Sequence, residues 1–298
     1  MVTETLSRDG PSEPPGIDAK PKGIHRDAKT CALPAPAGMP FLDLRSRLKY
    51  GQPLVASMSA SSRRLMDLDY RSFERRLASN PLVIVPVGAL EAHGPHLPLG
   101  ADQIQAEVTA LALAERVDGL VAPTIPYGST PGARRFPGTV SLTMAQLESH
   151  VTGVLGELAR SGVRRLLIIS GHAERGHMAA LREAADLAMQ AHPSARIVVL
   201  SDYDFVYELR GKESPPTDGH AGLLETSRLI ALAPQSVGSE RPVGENRHSP
   251  FVPGATTPDD WPESVIGDTR PASRELGERV QAYVLDRLVE TVRTLLPA

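Results

Sequence analysis

An α/β fold, with helices on both faces of a largely parallel sheet, is what this chain predicts from three observations. PLVIVPVG at 81–88, RLLIIS at 165–170 and ARIVVL at 195–200 are short apolar runs of the kind buried on both faces of a parallel sheet. The segments between them carry helical spacing and helical end signals. Strand and helix alternate at the interval typical of α/β architectures.

Taken in order, residues 1 to about 40 are rich in Pro, Gly, Ser and charge and show no periodicity. They offer little apolar surface to offset ordering entropy, so they read as a flexible or surface-wrapping arm. Arg63–Ala78 holds a short helix-like stretch ahead of the first apolar run. Asp102–Val117 is helical, with Ile104, Val108, Leu111 and Ala112 near one face, and Leu120–Ile125 is a strand ending at Pro126. Thr143–Ser161 is a helix with Gly162 as its C-cap. A helix over Gly176–Ala191 links the second and third runs. The chain is then loop-rich between Pro234 and Pro271 and closes with an amphipathic helix, Ser273–Leu296. No repeat and no boundary breaks residues 41–298, which read as a single catalytic domain.

Composition narrows the function class. At 298 residues, 41% hydrophobic and 22% charged, the chain can bury a full core. A formal net charge of −3 gives no general affinity for nucleic acid or an anionic membrane. One cysteine, Cys31, excludes a disulfide framework within the chain and a thiolate metal cluster. No run reaches the roughly 18 to 20 apolar residues that span a bilayer. The opening MVTETLSRDGPSEPPG has no apolar core of a signal peptide, so a cytoplasmic protein is expected.

Chemistry-bearing residues gather in three clusters. Glu91, His93, His96 and Asp102 follow the first apolar run, where open α/β sheets place their ligand sites. Glu91 and His93 stand two apart, so an extended segment aims both to one side, and Gly94, Pro95, Pro98 and Gly100 let the loop fold back toward Asp102. SGHAERGH at 170–177 follows the second run and repeats the spacing in His172 and Glu174. Carboxylate and imidazole donors without sulfur suit zinc, manganese or iron. With one carboxylate bridging, five such ligands hold two ions and activate a water between them. The third cluster, DGHAGLLETS at 218–227, offers His220 as a general acid or base and Glu225 to orient it or hold a turn. Each histidine taken alone is also explained as a hydrogen-bonded structural residue, and His25, His150, His192 and His248 are read that way. There is no phosphate-binding glycine loop and no Gly-x-Ser-x-Gly elbow in a suitable setting.

At these clusters the sequence resembles the creatininase, or creatinine amidohydrolase, family. The resemblance rests on VPVGALEAHGPHLPLGADQIQAE at 85–107, FPGTVSL at 136–142, IISGHAERGH at 168–177, HAGLLETS at 220–227 and GDTRPASRELG at 267–277. It implies a three-layer α-β-α sandwich around a largely parallel sheet, two divalent metals (usually zinc or manganese) and a homo-oligomer, commonly a hexamer. It matches Glu91, His93, Asp102, His172 and Glu174 to metal ligands, with Asp102 bridging. It matches His220 to the proton-shuttling histidine and Glu225 to the acidic position of the same motif, and it sets FPGT near the active-site entrance.

The implied chemistry is hydrolysis of a C–N bond in a small cyclic amide, lactam or formamide by a metal-activated water. A peptidase that trims a short modified peptide and a non-catalytic binding or scaffold protein of the same fold are the other readings. Creatininase proper uses tryptophans beside its pocket, whereas the single tryptophan here, Trp261, falls beyond HAGLLETS, so a substrate other than creatinine is expected. Tyr203, Phe205 and Tyr207 are the candidate pocket aromatics. Arg134, Arg135 and Arg175 are candidates for recognising an anionic substrate group.

Overall fold

This computed structural model describes residues 62–249, 257 and 259–298, and the arm expected over 1–40 lies outside them. Helix α1 (Tyr70–Leu77) starts at Asp69, whose carboxylate accepts from the N–H groups of Arg71 and Ser72. Strand β1 (Leu82–Val87) is buried at every position, as an unbroken apolar run requires. Then come α2 (Ala101–Val117), β2 (Leu120–Val121), α3 (Met144–Arg160), β3 (Arg165–Ser170), α4 (Arg175–Ala191) and β4 (Arg196–Ser201). The short α5 (Tyr203–Val206), α6 (Leu223–Leu232) and α7 (Arg274–Leu295) complete the helices, and β5 (Val243–Gly244) pairs antiparallel with β6 (Gly267–Asp268).

The main sheet is parallel throughout, in the order β2-β1-β3-β4. Alternate side chains of its strands enter separate cores. Leu82, Ile84, Leu167, Ile169 and Leu200 pack with α2, α6 and α7 through Leu113, Leu224, Val280, Val284 and Leu288. Val83, Val85, Leu166 and Ile168 pack with α3 and α4 through Leu147, Val151, Leu155, Leu181 and Ala184. The expected three-layer α-β-α sandwich results. Because α2 and α4 leave β1 and β3 toward opposite faces, the strand order reverses between these two neighbours. Ligands bind outside the carboxyl ends of strands at such a switch point.

One expectation is adjusted. The strand foreseen over Leu120–Ile125 stops at Val121, because Pro123 has no N–H for the ladder, and Ile125 rejoins only through one bridge to Val87. HAGLLETS opens a true helix, α6, whose first N–H groups, on Leu223 and Leu224, donate to the Asp218 carboxylate at 2.7 and 3.1 Å.

Helix α6 also carries Arg228, which is fully buried. Its Nη2 donates to Asp202 Oδ2 at 2.6 Å and to Gln281 Oε1 at 3.0 Å, tying α6 to the end of β4 and to α7. Replacing Arg228 by Met leaves Asp202 buried without its partner, so chemical denaturation is expected to show a loss of about 3–5 kcal/mol. Adding Asp202→Asn should restore part of it. Among the described residues no helix is long and apolar enough to cross a membrane.

Candidate metal centre

Pairing of β1 with β3 runs through to Val87 and Ser170, so the segments that follow emerge side by side. The first carries Glu91 and His93 and folds back, with Glu91 N–H donating to Leu99 O at 3.0 Å, which lifts the first turn of α2 and Asp102 beside them. The second carries His172 and Glu174. Gly171 allows this approach, since a Cβ there would stand 2.1 Å from the Asp102 carbonyl oxygen. The segment opening α6 adds His220 and Glu225.

Asp102 lies between two imidazoles. Its Oδ1 is 3.2 Å from His93 Nε2 and its Oδ2 is 3.3 Å from His172 Nδ1. Glu91 Oε2 is 3.0 Å from the same His172 nitrogen, and Glu225 Oε1 is 3.4 Å from His93 Nε2. The outer nitrogens face main-chain carbonyls: His93 Nδ1 that of Glu91 at 3.1 Å, and His172 Nε2 that of Ser129 at 3.2 Å. We assign the ring protons to these outer nitrogens, because a carbonyl oxygen can only accept. A lone pair on each ring then faces carboxylates, the arrangement by which proteins orient metal-bound histidines.

Glu91, Asp102 and His172 have donor atoms within 4.8 Å of one another, and so have His93, Asp102 and Glu225, and Glu91, His93 and His220. Glu91 Oε2, His93 Nε2 and Asp102 Oδ2 are buried without a hydrogen bond. Such groups are costly unless a cation lies among them.

The electrostatics agree. Burial opposes charge on His93, yet Asp102 and Glu225 hold its pKa well above the usual imidazole value. Burial likewise opposes charge on His172, and Glu91 with Asp102 and Glu174 raises it. Burial acts to raise Asp102, but His93 and His172 bring it down to about 2. The cluster therefore draws positive charge, which protons or divalent ions supply, and its nitrogen and oxygen donors fit zinc or manganese.

A braced layer surrounds the cluster. Ala221 N–H donates to Glu225 Oε2 at 2.7 Å from a left-handed backbone (φ 51°), and Gln105 Nε2 donates to Oε1 at 2.8 Å. The Tyr203 hydroxyl donates to Gln105 Oε1 at 2.9 Å. His220 Nε2 is 2.8 Å from the Ala92 carbonyl, while its ring lies 4.2 Å from that of His93 and edge-on to Trp261 at 5.0 Å. Burial and His93 keep the His220 pKa below the usual imidazole value, which favours a neutral ring. Thr139 of FPGT accepts from Ala92 N–H at 3.0 Å, and Phe136 packs edge-on against Trp261, so this motif braces the peptide that joins Glu91 to His93.

His177 is structural. Its Nδ1 accepts from Ser129 N–H, its Nε2 meets Ser170 Oγ, and burial lowers its pKa to about 3. His96 pairs with the Thr226 hydroxyl and stands outside the metal-ligating groups.

Glu91, Asp102, His172, Glu174, His220 and Glu225 line one cavity of about 450 Å³. Glu174, foreseen as a fifth ligand, is a third exposed and points its Oε2 at His172 Nε2, 3.7 Å away, while Glu225 stands beside His93 and Asp102. Tyr203 and Tyr207 line the cavity. Phe205 does not, being packed toward α7 beneath Arg287. Arg134, Arg135 and Arg175 do not line it either. The Arg135 guanidinium donates to the Trp261 carbonyl and stacks on Phe136. Trp261, Arg210 and Asn246 line the cavity without having been foreseen there. They come from loops with no periodic signal, and only the rarity of tryptophan marked one of them.

A family model described as "Creatininase: Creatinine amidohydrolase" matches residues 66–292. The chain is 32% identical to the creatinine amidohydrolase of Pseudomonas putida over 253 residues, covering 78% of this chain and 96% of that protein. It is 30% identical to a mycofactocin precursor peptide peptidase of Mycolicibacterium smegmatis over 230 residues, covering 73% and 86%. Among solved structures, a manganese creatininase superposes with a TM-score of 0.73 at 29% identity, covering 80% of this chain and all of the other.

Proposed function

Because the chain belongs to the creatininase family, we propose that it is a binuclear-metal amidohydrolase that hydrolyses the C–N bond of a small cyclic amide, lactam or formamide. One observation carries this reading: the Asp102 carboxylate lies between His93 and His172, each with its outer nitrogen on a main-chain carbonyl. Glu91, Asp102 and His172 would hold one divalent ion, and His93 and Asp102, with Glu174 or Glu225, the other. Zinc or manganese bound there acidifies a water and polarises the substrate carbonyl.

The protein's own residues do the rest. The Ala92 carbonyl fixes His220 Nε2 as a donor, leaving Nδ1 as the basic nitrogen of a ring that lines the cavity. His220 takes a proton from the attacking water and returns it to the departing nitrogen. Glu225, held by Ala221 and Gln105, keeps its Oε1 beside His93 Nε2 and Asp102, where all three could serve one ion. Trp261, edge-on to His220, limits the motion of that ring.

Treating the protein with a chelator should abolish hydrolysis of its amide, and added zinc or manganese should restore it. Unchanged turnover after full metal removal would refute the reading. The likeness to a precursor peptide peptidase keeps a peptide substrate as the second reading. Release of an amino acid, in place of ring opening, would select it. The family resemblance also supports a homo-oligomer, up to a hexamer. Tyr127 and Val140 between β2 and α3, and Met144 at the start of α3, 45 to 53% exposed, offer apolar surface for its contacts.

A further inference from the structure

We propose that Arg210 is the anion-binding residue of the cavity and that the substrate is a small amide bearing a carboxylate. This inference rests on the amidohydrolase reading and narrows its substrate class.

Among the described residues that line the cavity, Arg210 is the only arginine or lysine, against five carboxylates, Glu91, Asp102, Glu174, Asp218 and Glu225. Two divalent ions would offset the charge of Glu91, Asp102, Glu174 and Glu225. Asp218 is engaged elsewhere, accepting from Leu223 and Leu224 N–H at 2.7 and 3.1 Å. Asp218 still attracts Arg210, but its oxygens are committed to those N–H groups, so the guanidinium's own N–H groups remain for a ligand carboxylate.

Its geometry suits that role. The guanidinium carbon lies 3.7 Å from the centre of the Tyr207 ring. A guanidinium laid on an aromatic face keeps its edge N–H groups in a planar fork suited to a carboxylate. The turn that carries it is held, with Lys212 and Glu213 N–H donating to Leu209 O at 3.0 and 2.8 Å, and Gly211 N–H to Ser214 O at 2.7 Å.

Tyr207 in turn lies 5.5 Å from Tyr203, whose hydroxyl reaches Glu225 through Gln105. A fixed aromatic frame thus joins the guanidinium to the metal-ligating cluster. About 450 Å³ is room for a small molecule with both an amide and a carboxylate.

The test uses the zinc-loaded protein and three matched pairs: 5-oxoproline, hydantoin-5-acetate and N-formylglycine, each beside its neutral carboxamide. Turnover and calorimetric binding are measured for the wild type, Arg210→Met and Arg210→Lys. Binding of a carboxylate to the metals alone would survive Arg210→Met, so that variant separates the two anchors.

In the wild type the carboxylates should be favoured about 10- to 100-fold in kcat/KM or affinity. Arg210→Met should erase the preference, lowering turnover and affinity for the carboxylates far more than for the carboxamides, and Arg210→Lys should keep part of it. Equal handling of the two members of each pair, or a preference that Arg210→Met leaves intact, overturns the proposal while hydrolysis itself still supports the amidohydrolase reading. Should no pair be hydrolysed, the amidohydrolase reading loses ground on these amides and calorimetry still decides on Arg210. Tighter carboxylate binding that is lost in Arg210→Met supports it, and equal or absent binding overturns it.

Discussion

Asp102→Ala is expected to remove metal from both halves of the centre at once and to lower turnover by roughly 10³-fold or more. Asp102 is the one residue shared by the Glu91–His172 group and the His93–Glu225 group. Metal activation supplies several kcal/mol of transition-state stabilisation, and each 1.4 kcal/mol or so is tenfold in rate. The fold should survive, because Asp102 contributes little more than a first-turn charge to α2, worth about 0.3–1 kcal/mol. Elemental analysis with circular dichroism checks both parts. A variant that keeps two ions per chain would show that Asp102 does not bridge.

His220→Ala should behave oppositely, keeping its metal while turnover falls roughly 10²- to 10⁴-fold. His220 touches the cluster through the ring of His93 and is tied to Ala92, while Glu91, Asp102 and His172 form their group without it. The loss should appear in kcat more than in KM, since a proton relay acts at the transition state and not on ground-state binding. Full activity in this variant would remove His220 from the mechanism. Loss of both ions would make it a ligand instead.

Much of this centre was legible in the chain because its donors follow apolar runs. Glu91, His93 and His172 sit just beyond β1 and β3, where a parallel sheet delivers them to one edge. The Gly and Pro residues before Asp102 announced the fold-back that brings it to them. The resemblance added Thr139, whose hydroxyl holds the Ala92 peptide, and which had no meaning by spacing alone.

Other features were not legible, for physical reasons. Arg228 is charged and wholly buried, so α6 shows no clean amphipathic stripe, and only its partner Asp202, distant in sequence, explains it. Arg134, Arg135 and Arg175 drew notice because they flank the motifs. Yet sequence proximity does not say which way a loop residue turns, and Arg135 turned to the Trp261 carbonyl. Arg210 drew none, because its place depends on a cation–π contact and a turn that no local pattern announces.

Anomalous diffraction from zinc-loaded crystals, collected at the zinc absorption edge, tests the central claim most directly. Two peaks per chain are predicted, one among Glu91, Asp102 and His172 and one beside His93 and Asp102, with the Asp102 carboxylate between them. A single peak, peaks away from Asp102, or none at all would contradict it.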